Sequence, residues 1–506
     1  MRTKWHVLLS AVVFSLCIVP TIVSYSSYSF SWDDSDYLTR SIAVNKAFWS
    51  GDRPGLRKEL HNNFRPPAMT LLGLPWGRFA PEDAAGKCFV TLAVCTSFFA
   101  ACCLFLLLRI GLEPLYLITA SVCAFASLGP YPAGAHAHYV ATGFMADSLF
   151  AWNAFAATLL IPYEAIPSAS STFDDLARGV LWGTILSAMA LTRVNGFYFI
   201  GTIALLVFVI RMRRNGHRSA FVALASLGAC SIPAIFYWLR YGLPSLRNGW
   251  AASFGHDAPF YYLPLSRFLE ITLRQSPGML LGGLFALVGI VVFAARRRNV
   301  PEYANILAFL VMAGYSAITL ASHNREIRFL FPAIIGMPFL IGLLVSGKTF
   351  ALPKRSALIA STLAVCILLA ACGPLLHRPY RQSLHKGEEI LAEARASNAK
   401  RVLLATASSS LNVELVGLAI AVSPSQPSVT LDSLALRAAA GGPIEDDFRT
   451  IRDSDLVVFQ DKSALDAEPP NDRIPEYEDF ARGSAGTFQL KVVDDMHVYE
   501  LRNGHH

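Results

Sequence analysis

The sequence predicts a polytopic α-helical membrane protein of about 11 transmembrane helices, followed by a small C-terminal α/β domain outside the membrane. Three observations carry this. Of 506 residues, 54% are hydrophobic and only 16% charged, with a mean hydropathy of +0.43, whereas soluble domains carry roughly 25% charged residues. Apolar runs near the length needed to cross a bilayer recur up to about residue 376. Beyond His377 the chain turns polar, and helical and strand-like patterns alternate.

The apolar runs fall at about 7–30, 86–108, 114–131, 144–162, 178–193, 195–212, 218–240, 277–296, 303–321, 329–347 and 355–376. Close to 20 apolar residues span the hydrocarbon core. The first run, behind Met1-Arg2-Thr3-Lys4, is long for a cleaved signal and lacks a clear small-residue cleavage site, so it reads as a retained signal anchor. Segment 67–80 is too short to cross and is interrupted by Pro75 and Gly77. It is expected to be a helix lying on, or dipping into, the membrane.

The distribution of Lys and Arg sets the orientation. With Arg2 and Lys4 in the cytoplasm, Arg109, the Arg211–Arg218 cluster, Arg296 to Arg298, and Lys348 with Lys354 and Arg355 all fall inside. Were 67–80 to cross, the last three clusters would face outward. The connection 163–177 fits least well, because it lands inside while carrying Glu164, Asp174 and Asp175. The net charge of +7 therefore reports topology, and no basic, aromatic-interleaved soluble face suits nucleic acid. The nine cysteines all lie in apolar segments without metal-ligand spacing and read as small apolar residues.

The outer face receives Asp33, Asp34, Arg65, His136, His138, Asp147, Arg193, Asn195, His256, Asp257, His323, Arg325, Glu326 and Arg328, with Tyr37 following the acidic pair. Ionisable groups at membrane depth are costly and usually functional, and many of these sit at span ends on one side. A carboxylate at a bilayer surface with guanidinium groups nearby suits transfer from a phosphate-linked lipid. The acid accepts a proton while the cations steady the leaving phosphate. Each residue also has a bland reading. Asp33 and Asp34 would merely start a helix, Asp147 would cap a span, the arginines would snorkel to headgroups, and Tyr37 and His323 would pack.

In the tail, 388–396 and 409–422 read as helices, the second with Ser408 to Ser410 as caps. Segments 401–406, 428–431 and 455–460 read as strands, and 488–501, broken at Asp494-Asp495, as a closing hairpin. No phosphate-binding glycine loop is present there, and Gly441-Gly442-Pro443 reads as an ordinary turn. The domains are expected at 1–376, with outer loop 31–85 carrying the acidic motif, and at 377–506.

Six features carry a family resemblance. They are Asp33-Asp34-Ser35-Asp36-Tyr37, then Phe48-Trp49-Ser50-Gly51-Asp52, then Arg65-Pro66-Pro67, then Asp147 at the head of span four. Leu191-Thr192-Arg193-Val194-Asn195-Gly196 and Arg328-Phe329-Leu330-Phe331-Pro332 complete the set. In this order they resemble the GT-C glycosyltransferases of the protein O-mannosyltransferase and lipid A aminoarabinose transferase superfamily, over about residues 1–350. Asp34 stands where glutamate is commoner, and Arg65 where lysine or histidine is usual.

The resemblance implies a GT-C-like membrane domain and inverting transfer, in one displacement, from a polyprenyl-phosphate sugar to a lipid, glycan or protein acceptor. It makes Asp33 the general base, with Asp34 beside it and Asp147 a second acid near the acceptor. Arg65, Arg193, Arg325 and Arg328, with Tyr37 and His323, would form the donor site, since a planar guanidinium suits bidentate phosphate contacts. Asp34-Ser35-Asp36 imitates a metal-binding DxD, but a lipid monophosphate donor has no diphosphate to neutralise, so no cofactor is expected and a metal-independent reaction is favoured. The expected location is the inner (plasma) membrane, with the site and tail facing outward. The rival class is a transporter or flippase. It predicts mid-span charges and broken helices in two related halves, and the sequence displays neither.

Overall fold

The computed structural model describes residues 32–61, 67–112, 116–118, 120–121, 146–166, 171–243, 246–247, 265–266, 268–270, 302–322, 327–345, 382–406, 408, 411–423, 428–434, 443–461, 473–484 and 487–501. The expected spans at 7–30, 277–296 and 355–376, and most of that at 114–131, lie outside the described residues.

The first helices are α1 (Trp32–Ser50), α2 (Arg53–Leu60) and α3 (Ala84–Ile110). An apolar core follows, made of α4 (Ala146–Glu164), α5 (Thr172–Thr192), α6 (Gly196–Tyr237), α7 (Glu302–Ala321) and α8 (Phe331–Val345). Three described helical segments, Ala84–Ile110, Gly196–Gly242 and Tyr303–Ala321, are long and apolar enough to cross a membrane. Helix α6 is two helices joined at Gly216, whose φ of 84° lies in a region that suits glycine and few other residues. The chain reverses there, where the sequence pattern separates spans six and seven.

By contact, the chain divides into two compact units. One comprises 1–25, 57–72 and 89–377, and the other 26–56, 73–88 and 378–506. In the first unit α4 packs against α5, α6, α7 and α8. Nearly every α4 residue from Ala146 to Glu164 is buried, as expected of a helix that is apolar all round.

In the second unit α9 (Gln382–Ala396), β1 (Arg401–Leu404), α10 (Val413–Val422), β2 (Thr430–Ser433), α11 (Ile444–Arg452), β3 (Leu456–Gln460), α12 (Ile474–Gly483), β4 (Phe488–Val493) and β5 (Met496–Leu501) form an α/β layer structure. Its sheet has the order β2-β1-β3-β5-β4. β1 runs parallel to β2 and β3, while β5 is antiparallel to β3 and β4. Apolar residues cover both faces. Val402, Leu404, Leu456, Val458 and Val498 pack with Ile390, Leu391 and Val416 on one side. On the other, Leu403, Val457, Phe459 and Tyr499 pack with Ile451 and Tyr477. Burial, with the Asp447 carboxylate accepting its hydrogen bond at 2.6 Å, pushes the Tyr477 phenol up to about 12.

The three strands and the hairpin form where the alternation predicts them, with small shifts in their bounds. Helices α11 and α12 were not expected. The cap of α10 is Asn412, which accepts the Leu415 amide at 2.9 Å, rather than Ser408. Segment 67–80 is not a helix on the membrane. Its described residues form turns and a short 3₁₀ helix, Leu74–Trp76, and Gly77 has a φ of 69°. The Asn45 side chain donates to the Gly73 and Gly77 carbonyls at 3.1 and 2.7 Å, and Ser41 Oγ accepts the Gly73 amide. Those polar backbone groups are thus satisfied by α1, which removes the need for helical bonds.

Candidate active site

Helix α1 carries the acidic motif, in the second unit. Its buried face runs through Asp34, Tyr37, Leu38, Ser41, Ile42 and Asn45, which is helical spacing. This face packs along α10. Asp33 is half-buried, and Asp34 is fully buried in the first helical turn, accepting the Ser35 amide at 2.9 Å. Asp36 pairs with Arg40 one turn on at 2.9 Å.

In the first unit, three separate segments bring charged residues together at one end of the core. Asp147 lies in the first turn of α4 and is 1% exposed. Arg193 ends α5 in extended conformation, and its guanidinium pairs with Asp147. Arg328 lies in a 3₁₀ turn, Ile327–Leu330, which leads into α8. The Phe329 ring serves both cations. The Arg193 guanidinium lies 4.7 Å and that of Arg328 5.3 Å from its centroid, and arginine is attracted to an aromatic face at such distances.

Tyr315 of α7, 2% exposed, donates to the Phe329 carbonyl at 2.8 Å and so pins this turn. The Tyr315 ring in turn packs at a tilt against Phe199, with ring centroids 4.8 Å apart. Arg193 Nε makes no hydrogen bond among the described residues. The Phe329 ring thus holds two guanidinium groups at one end of the core, one of them paired with Asp147.

Of the residues expected from sequence, Asp147, Arg193 and Arg328 are therefore brought together, and Asp33, Asp34 and Tyr37 share one helix. Arg65, His136, His138, His323 and Arg325 lie outside the described residues. Phe329 and Tyr315 were missed as parts of the site. The only available signal for Phe329 was its place beside Arg328, and for Tyr315 its hydroxyl within an apolar span.

The opposite end of the same helices holds a second charged cluster. Glu164 accepts from Arg178 at 3.0 Å, from Arg211 at 2.9 Å and from the Trp182 indole at 3.1 Å. Arg211 also pairs with Asp175, which accepts from Ser219 at 2.7 Å. This explains the ill-fitting 163–177 connection. Glu164 and Asp175 are buried and offset by arginine, so they do not act as loop charges. Arg211, read from sequence as part of the cytoplasmic charge cluster that sets orientation, is 1% exposed and belongs to this network.

No protein-family model matches the chain, and no curated protein matches its sequence. Its three-dimensional structure does have a counterpart. The crystal structure of ArnT from Cupriavidus metallidurans, bound to undecaprenyl phosphate, superposes with a TM-score of 0.53 at 14% sequence identity. The match covers 99% of this chain and 98% of that one. The chain has the fold of ArnT. The likeness extends through the α/β tail, for which the sequence showed no motif.

Proposed function

We propose that the protein is an integral membrane glycosyltransferase of the ArnT-like kind. It transfers a sugar from a polyprenyl-phosphate donor to a lipid, glycan or protein acceptor outside the inner membrane, with inversion. The observation that carries this reading is the end-to-end likeness to an enzyme whose crystal structure holds undecaprenyl phosphate. The half-buried Arg193–Phe329–Arg328 cluster supports it.

In this reading the acceptor oxygen attacks the anomeric carbon while the bond to the phosphate oxygen breaks. Asp33 takes the acceptor proton as the new bond forms, when the oxygen has become acidic enough for a carboxylate to serve. Arg193 and Arg328 receive the departing phosphate, and the sequence adds Arg65, Arg325, Tyr37 and His323 as further candidate donor-binding residues. Guanidinium groups held in advance stabilise that charge without reorganising. Asp147, already paired with Arg193, holds that cation in place rather than acting as a base, and Asp34 supports the first turn of α1. The displacement runs without a metal, because a monophosphate leaving group is matched by arginines alone.

The test is label transfer from radiolabelled polyprenyl-phosphate sugars to a membrane-lipid and glycan extract, using protein purified in a membrane mimic, with Asp33→Asn alongside. Transfer by the parent that falls by at least about 100-fold in the variant, the lower end for loss of a general base, supports the reading. Equal transfer by both overturns the role of Asp33. No transfer from any donor by folded protein overturns the enzyme reading in favour of a transporter.

A further inference from the structure

The α/β tail holds a group of side chains that the transfer reaction does not use. His385 and Glu389 stand one turn apart on the same face of α9, with His385 Nδ1 3.1 Å from Glu389 Oε1. Asp494 reaches the same place from the β4–β5 turn. One ligand atom from each of the three lies within 4.8 Å of the others.

We infer that His385, Glu389 and Asp494 form a site for a first-row divalent cation of the zinc type. An imidazole with two carboxylates is the donor set that such ions accept, whereas calcium and magnesium favour oxygen alone. Three protein ligands also leave a coordination position for water.

Two further observations point the same way. The second carboxylate oxygen of Glu389, Oε2, is shielded from solvent and makes no hydrogen bond among the described residues. A shielded acceptor without a donor is costly, and a cation would satisfy it. Glu389 and Asp494 also bring two negative charges together, a repulsion that a cation reverses.

The turn is already held against α9 by an independent contact, in which Lys386 Nζ donates to Asp495 at 2.6 Å and Gln460 donates to the same oxygen at 3.0 Å. Asp494 is therefore delivered to its position by its neighbour. Ligands about 2.0–2.2 Å from a zinc ion lie roughly 3.5 Å from one another, so closure asks only for small rotamer changes. Bound metal would staple α9 to the β4–β5 hairpin.

The experiment uses the full chain in detergent, carrying His505→Asn and His506→Asn in every preparation so that the terminal pair cannot bind metal. Zn²⁺ is titrated against a chromophoric chelator, and melting is followed with Zn²⁺ and with Mg²⁺. His385→Gln and Asp494→Asn are compared with this parent; asparagine tolerates the positive φ of 49° at position 494. The expected result is one equivalent of Zn²⁺ fewer in each variant, or its affinity weakened by at least about tenfold, the lower end of what losing even an outer-shell partner costs. Zn²⁺ but not Mg²⁺ should raise the parent's melting temperature, and both variants should lose that rise while melting like the parent without metal. Equal stoichiometry and affinity in parent and variants would overturn the site, as would a parent that binds no Zn²⁺.

Discussion

Arg193 is gripped from two sides, by the Asp147 carboxylate and by the Phe329 ring. Lysine would keep the charge but lose the planar fork and the stacking face. Arg193→Lys is therefore expected to lower transfer by about 100-fold, the size of effect seen when one preorganised transition-state donor is removed. Steady-state kinetics of the variant check this, and a change confined to thermal stability would count against a donor-phosphate role.

Asp495 gives a pH prediction. Burial acts to raise its pKa, but hydrogen bonds from Lys386 and Gln460 and the Lys386 charge outweigh it and hold the carboxyl below the usual range. A depressed folded-state pKa contributes stability above the unfolded value, near 4, and loses it as pH falls through the lower folded value. Asp495→Asn should thus lower the melting temperature at pH 7 and leave a shallower decline below about pH 4, where the aspartate itself becomes neutral. At this scale the sequence was legible where charge met an apolar boundary, as at Asp147, Arg193 and Arg328. It was opaque for Phe329 and Tyr315, because an aromatic residue inside an apolar run has the same pattern whether it packs or orients a cation.

Among the elements, α5 and the second half of α6 approach each other closely. Gly179 and Gly183 face it one turn apart. A Cβ on Gly179 would strike the Ala223 carbonyl oxygen, and one on Gly183 would come within 2.6 Å of the Cys230 Cβ. Small residues four apart let helix backbones meet in a membrane, where association relies on packing rather than on expulsion of water. The spacing was present in the sequence but named no partner until the turn at Gly216 brought the second half of α6 back.

The same hairpin positions Arg211 on Glu164 and Asp175. Glu164→Gln keeps the shape but removes the charge shared by two buried guanidiniums. Loss of one member of such a network costs about 3–5 kcal/mol. A markedly lower melting temperature in detergent is the expected outcome, and an unchanged one would mean that Arg178 and Arg211 are held by Asp174 and Asp175 alone.

For the molecule as a whole, hydropathy and charge bias were enough to read the class, because the bilayer imposes length and polarity on every span. Strand alternation was enough for the sheet of the tail. Helices α11 and α12 escaped because their mixed polar sequences, such as Ile444-Glu445-Asp446-Asp447-Phe448-Arg449, show their apolar face only once the sheet beneath them is known. The partnership of α1 with α10 was not legible either. The two helices are separated by some hundreds of residues, and local patterns carry no information across that distance.

That partnership has a consequence for biogenesis. Helix α1, bearing Asp33 and Asp34, emerges from the ribosome early, but the surface it packs on is not complete until α10 has been made. At about 5–20 residues per second, the acid-bearing helix waits on the order of half a minute with its packing face uncovered. Limited proteolysis of stalled nascent chains should find α1 open to cleavage in chains ending before Val413 and protected in chains that have released α10. Synthesis of α10 then acts as the arming step: no chain presents its acidic helix in finished form until that part of the tail has been made.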